Sequence, residues 1–150
     1  MRLKMEKFGK LLPNMFGVIL SRGQDAEKIL KYKTETLPAF EAMATEANGK
    51  FLLGTDEITQ LDIHCGPLWE IIFLFETGVY ADVDEQLKIR ENAPNWVAYM
   101  ERFRNHPAIK PYRMNAKASE AHGVRSRSWP IDDKCQLSCE YLEGCWPDTD

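Results

Sequence analysis

The stretch that most restricts how this chain can fold is ITQLDI, residues 58–63, with the apolar run PLWEIIFLF close behind it. A hydroxyl residue three positions before an acid, at the entrance to an apolar run, is how a helix start is written in sequence. The Thr59 hydroxyl can satisfy one free amide of the first turn, and the Asp62 carboxylate can reach back to the Thr59 amide. Ile58 outside the cap and Ile63 inside the first turn are then placed to close as a hydrophobic staple. Leu68, Trp69, Ile71, Ile72, Phe73, Leu74 and Phe75 follow, leaving almost no polar face, so this helix is predicted to lie at the centre of a bundle with neighbours on several sides. Pro67 is a point at which it can bend. Glu70 interrupts the run, which is too short to span a bilayer.

The rest of the chain reads as further helices. Leu3, Phe8, Leu11, Leu12, Met15, Phe16 and Ile19 recur every three to four residues, which predicts a first helix over 3–20, bent or restarted at Pro13. A second stripe, Ala26, Ile29, Leu30, Leu37, Phe40, Met43, Ala44 and Ala47, keeps its phase across Pro38, where a kink or new start is expected. ETGVYADVD ends the central segment, and a polar connection follows it. Trp96, Val97, Met100 and Phe103 give the next helix its apolar face, with Glu101, Arg102 and Arg104 turned to water and Pro107 stopping it. A shorter helix is predicted from Pro111 to about His122. GKFLLG and GVYADV are too short and too glycine-bounded for strands. The expected fold is all-α, a bundle of about five or six helices over residues 1–122, with 123–150 a tail packed on the bundle or flexible.

Length and charge remove several function classes. A chain of 150 residues, 44% apolar and 28% charged, has the make-up of one folded core. A formal charge of -4 provides no global field for nucleic acid or an anionic membrane. Arg125 and Arg127 in HGVRSRSW can contact phosphate, but two arginines in a tail read more simply as a solvated face, so nucleic acid is not an expected partner. The basic and apolar amino end lacks the clean hydrophobic core and small-residue cleavage site of a secretory signal, and a cytoplasmic location is expected. Cys135, Cys139 and Cys145 with His122 supply donors for zinc, but their spacings miss the usual pairing at one step, and no metal site is assigned. Reduced thiols are the expected state. Cys65 beside His64 is no catalytic pair: neighbours on a helix point about 100° apart, and burial would raise the thiol pKa. His106 before Pro107 is accounted for by helix termination.

With these residues in place, KFLLGTDEITQLDIH resembles the conserved turn, capping box and staple of the C-terminal helical domain of cytosolic glutathione transferases, through Gly54, Ile58, Thr59, Asp62 and Ile63. APNWVAYMERFRNHPAIKPY is similar to the family's next helix and its proline turn, with Pro94, Trp96, Met100, Pro107 and Ile109 in register. The likeness runs from about residue 3 to 122. It departs in the loop before the cap, where Gly54 stands one position further from Thr59 than in many members.

The resemblance implies the half of a transferase that holds the second, electrophilic substrate. Glutathione and its activating tyrosine, serine or cysteine belong to a thioredoxin-like domain that precedes the bundle in that family. This chain opens at the bundle, so no catalytic residue and no resident cofactor are assigned to it, and conjugation or thiol transfer requires that domain to be supplied. The candidate pocket residues are Met15, Phe16 and Ile19 on the first helix and Trp129 in the tail. Methionine and aromatic stripes at helical spacing are ordinarily core, and that reading stands beside the pocket. The other function implied is a non-catalytic interaction module, like the similar bundles of translation-factor and tRNA-synthetase assemblies. Under either, a homodimer or a helical-domain protein partner is expected.

Overall fold

The computed structural model describes residues 2–66, 73–76, 78–113 and 116–127. Among these residues the chain is helical throughout its regular structure, with no strand. The order is α1 (Arg2–Leu20), α2 (Ala26–Lys31), a π-helical turn (Tyr32–Thr36), α3 (Leu37–Ala47), α4 (Gln60–Cys65), helical residues at 73–75, a 3-10 turn (Gly78–Tyr80), α5 (Ala81–Leu87), α6 (Ile89–Asn92), α7 (Pro94–Asn105), a second 3-10 turn (Lys110–Tyr112) and α8 (Ala116–Arg127). Positions 67–72 of the expected central helix lie outside the described residues.

Two prolines that the sequence marks as breaks are handled differently. Pro13 sits inside a continuous α1, where its missing N–H leaves the Gly9 carbonyl without the usual helical donor. Pro38 falls in the first turn of α3, where no intrahelical donor is needed. The turn before it is widened, the Leu37 N–H donating to the Tyr32 carbonyl five residues back, and this gives the proline ring room at the carbonyl it would otherwise strike. Tyr32 and Thr36, three and seven residues after the buried Ile29, share its inward face, while Leu30, expected on the apolar stripe, is 59% exposed. Asn14 Nδ2 donates to the inward Thr36 hydroxyl at 3.2 Å, tying α1 to the π turn.

The core is a set of contacting rings. Phe8 stacks on Phe40 at a centroid distance of 5.5 Å, Phe40 on Trp96 at 4.6 Å, and Trp96 lies 5.2 Å from Tyr99. Phe8 comes from α1, Phe40 from α3, and Trp96 and Tyr99 from α7, so one aromatic column fastens three helices. Glu41 of α3 strengthens the pairing by capping α7 from outside: its carboxylate accepts the Trp96 N–H at 3.0 Å and the Asn95 amide at 2.6 Å.

Two sequence expectations change. The connection after the 3-10 turn is not a polar linker but α5 and α6, which bury Val83, Leu87 and Ile89. Lys88 lies between them at φ +46°, ending one helix in the left-handed conformation and starting the next. The last helix runs to Arg127, past the point where a tail was expected to begin, and buries Ala118 and Ser119. It packs on the Gly78–Tyr80 turn and on α1. α7 ends as predicted, His106 adopting the extended conformation that a following proline imposes. Arg104 is not simply turned to water, because its guanidinium lies 4.4 Å from the Phe73 ring centroid.

Candidate functional site

Asp62 organises the entrance to α4. Thr59 is the N-cap residue, with extended backbone, and the pairing of Thr59 with Asp62 is that of a capping box. The Thr59 N–H donates to Asp62 Oδ2 at 2.8 Å, and the Thr59 hydroxyl donates to the same oxygen. The other carboxylate oxygen works at longer range, accepting the Leu52 N–H at 3.0 Å and the Tyr99 hydroxyl at 2.9 Å. Asp62 is fully buried, so these four donors replace the water it has lost. One carboxylate thereby joins the start of α4, the 51–59 loop and α7. Gly54 turns that loop at φ +74°, a conformation that favours glycine. Ile58 packs against the core, while Ile63, one residue beyond Asp62, is 52% exposed.

Burial decides the chemistry of the thiol next to this lock. Cys65 is wholly inside, and burial, with the nearby Asp62 carboxylate adding to it, pushes its pKa up to about 12. His64 is turned outward, its ring 6.4 Å from Phe8. The two neighbours therefore do not form a nucleophile and base. The same burial raises the pKa of Tyr99, aided by Asp62, and that of Tyr32 by burial alone.

The candidate pocket residues separate along α1. Met15 is fully buried and serves the core. Ile19 is partly buried and packed against that core, and Phe16 is 43% exposed. Trp129 lies outside the described residues, as do Cys135, Cys139 and Cys145. Phe16 does belong to a surface feature. At 100° per residue, Gly9, Pro13, Phe16 and Leu20 fall within about 60° of one another on the helix, and all four are exposed. They form an open apolar strip on α1. A Cβ on Gly9 would meet nothing within 4 Å, so the backbone is bare there. The strip was legible in part, since Leu20 follows Phe16 at helical spacing; Gly9 and Pro13 read only as breakers.

Among the described residues no cluster of three or more His, Cys, Asp or Glu could hold a metal ion, and no helix is long and apolar enough to cross a membrane.

A bundle in which α4 is capped by Thr59 and Asp62, with aromatic residues of α7 packed behind it, defines an all-helical domain. Residues 14–116 match the family model described as glutathione S-transferase, C-terminal domain. The chain belongs to that family. No curated protein and no solved structure matches it in the corresponding comparisons.

Proposed function

We propose that the chain is the helical, second-substrate half of a glutathione-transferase-like protein, with the open face of α1 receiving an apolar electrophile. The strip of Gly9, Pro13, Phe16 and Leu20 is the observation that carries this reading. An aromatic ring beside bare helix backbone suits a flat apolar ligand, which gains from burial without needing charged partners. Conjugation or thiol transfer needs a thiolate, and Cys65 cannot supply it, being buried and protonated at neutral pH. In this reading the thiol is that of glutathione, as the family match suggests, delivered by a thioredoxin-like domain in cis or in trans.

Binding of an aromatic fluorophore, displaced by a dinitrophenyl electrophile, tests the reading. Phe16→Gln should weaken binding about tenfold with the melting temperature nearly unchanged. Equal affinity in wild type and Phe16→Gln would remove the site from α1.

A second reading, a helical interaction module without chemistry, draws support from apolar side chains exposed off the strip, Leu3 at 79% and Leu30 at 59%. Apolar surface on more than one side suits a protein partner, a second copy or another helical domain, better than a small molecule. Light scattering across a concentration series separates the two. A mass that rises to that of a dimer, and falls back in Leu30→Gln, favours the module; a constant monomer mass counts against self-association.

A further inference from the structure

We propose that Asn48 is a site of spontaneous covalent modification, deamidation through a cyclic imide, and that its conversion loosens the loop that feeds the Asp62 lock. α3 ends at Ala47, and Asn48 and Gly49 follow it in the left-handed region at φ +50° and +77°. The Lys50 N–H closes on the Ala47 carbonyl at 3.0 Å, so Asn48 and Gly49 are the two central residues of a tight turn, and both are exposed.

Five asparagines fall among the described residues, and four of them are held. The side-chain amide of Asn14 donates to the Thr36 hydroxyl, that of Asn92 to the Leu87 carbonyl, that of Asn95 to Glu41 and that of Asn105 to the Glu101 carbonyl. Among the described residues neither the Asn48 side chain nor the Gly49 N–H has a hydrogen-bond partner. Asn48 is also the one of the five that glycine follows; the others precede Met15, Ala93, Trp96 and His106. A side chain on the following residue obstructs the approach of its nitrogen to the asparagine amide carbon. Gly49 has none, and even a Cβ placed there would meet nothing within 4 Å, so the peptide has room to rotate into reach.

The chemistry needs only water and a solvent base. The base takes the proton of the Gly49 N–H, the nitrogen attacks Asn48 Cγ, and the Cγ–Nδ2 bond breaks as ammonia leaves. Water then opens the imide. Breaking the new bond between Gly49 N and Cγ gives aspartate. Breaking the bond between Gly49 N and the Asn48 carbonyl carbon gives isoaspartate, whose main chain runs through Cγ and is longer by a methylene. Either way one water is consumed, one ammonia is released and a carboxylate is gained. That carboxylate stands at the carboxy end of α3, close in sequence to Glu46, where the helix dipole disfavours an anion. The lengthened backbone enters a tightly tied segment: the Lys50 carbonyl accepts from Arg102 Nη1 at 3.0 Å, and the Leu52 N–H donates to Asp62. Phe51 and Leu52 are buried, so a closely packed core must give way to absorb the extra methylene.

The test ages the full chain in mildly alkaline buffer. Trypsin then releases the peptide 34–50, and mass and retention separate its amide, aspartyl and isoaspartyl forms. Asn48 should convert about tenfold faster than Asn14, Asn92, Asn95 or Asn105, whose amides must first be freed by local opening, and its rate should rise with pH. The free peptide 34–50 serves as the unrestrained reference. A folded chain that keeps its Asn48 amide while that peptide converts would show that the turn protects the residue, and would overturn the proposal. For the consequence, aged wild type should unfold at a lower urea concentration than fresh protein. Asn48→Gly has no amide to lose and accepts left-handed backbone, so its midpoint should survive the same ageing. An aged chain rich in isoaspartate with its original midpoint would refute the loosening. So would an equal fall in Asn48→Gly, which would trace the loss to another residue.

Discussion

Replacing Asp62 by Ala is the most informative perturbation of this fold. The carboxylate accepts the Leu52 N–H, the Tyr99 hydroxyl, and the N–H and hydroxyl of Thr59. Leu52 is completely inaccessible and Tyr99 2% exposed, so neither donor can turn to water when the acceptor is gone. A buried donor left unsatisfied costs about 1–3 kcal/mol, and loss of a helix cap about 0.5–2 kcal/mol. Relief of the desolvation carried by the buried charge offsets part of this. Asp62→Ala should therefore cost on the order of 4–5 kcal/mol, a large share of the roughly 5–15 kcal/mol available to a domain. Asp62→Asn keeps the shape and one acceptor oxygen but turns an NH2 group toward donors, and about 2–3 kcal/mol is expected. Urea unfolding followed by circular dichroism measures both. In a Tyr99→Phe background one of the orphaned donors is absent, so Asp62→Ala should cost about 1–3 kcal/mol less than in wild type. A loss under about 1 kcal/mol for Asp62→Ala, or strict additivity with Tyr99→Phe, would show that the carboxylate is not the tie described.

Three further outcomes follow from particular side chains. The Tyr32 hydroxyl is buried with no hydrogen-bond partner among the described residues, so Tyr32→Phe should leave stability unchanged or raise it by about 1 kcal/mol; a loss above about 1 kcal/mol in urea unfolding would mean the hydroxyl is satisfied. Lys88, at φ +46° between α5 and α6, should give way to Gly with a gain of about 0.5–1 kcal/mol, read from the urea midpoint, because its exposed ion pair with Glu91 contributes little. Stability should fall as pH rises above 9: Cys65 is held protonated in the folded chain but loses its proton near its ordinary 9.0 once unfolded, and the tyrosines Tyr32 and Tyr99 add to the fall above their ordinary 10.0. The sign follows from the unfolded chain binding fewer protons in that window. Cys65→Ala should flatten the pH 9–10 part of the profile in thermal melts, and an unchanged slope would contradict the burial.

What could be read in advance depended on how local each signal was. The α4 start needs only Thr59 and Asp62, three residues apart, and α7 needs only Trp96, Val97, Met100 and Phe103. Tyr99 and the Leu52 amide, the other half of the Asp62 lock, are 37 and 10 residues away in sequence, and no spacing rule joins them to a carboxylate. Leu30 was misplaced because two adjacent apolar residues, Ile29 and Leu30, compete for the inward face, and the polar-tipped Tyr32 and Thr36, three and seven residues after Ile29, are the ones that share it. α5 carried a weak signal in Tyr80, Val83 and Leu87 at steps of three and four, masked by surrounding acids and by a lysine in the left-handed conformation, where glycine would have advertised a helix end. The strip on α1 was harder still, since glycine and proline inside a helix read as interruptions rather than as surface.

The functional reading rests on α1 as a receiving surface, and amide chemical-shift mapping addresses it most directly. On titrating the isotopically labelled chain with a soluble dinitrophenyl ligand, the shifts should gather on residues 9–20 and should be lost in the Phe16→Gln, Leu20→Gln variant. Shifts centred on another helix, or the same shifts in that variant, would place the ligand elsewhere and contradict a substrate face on α1.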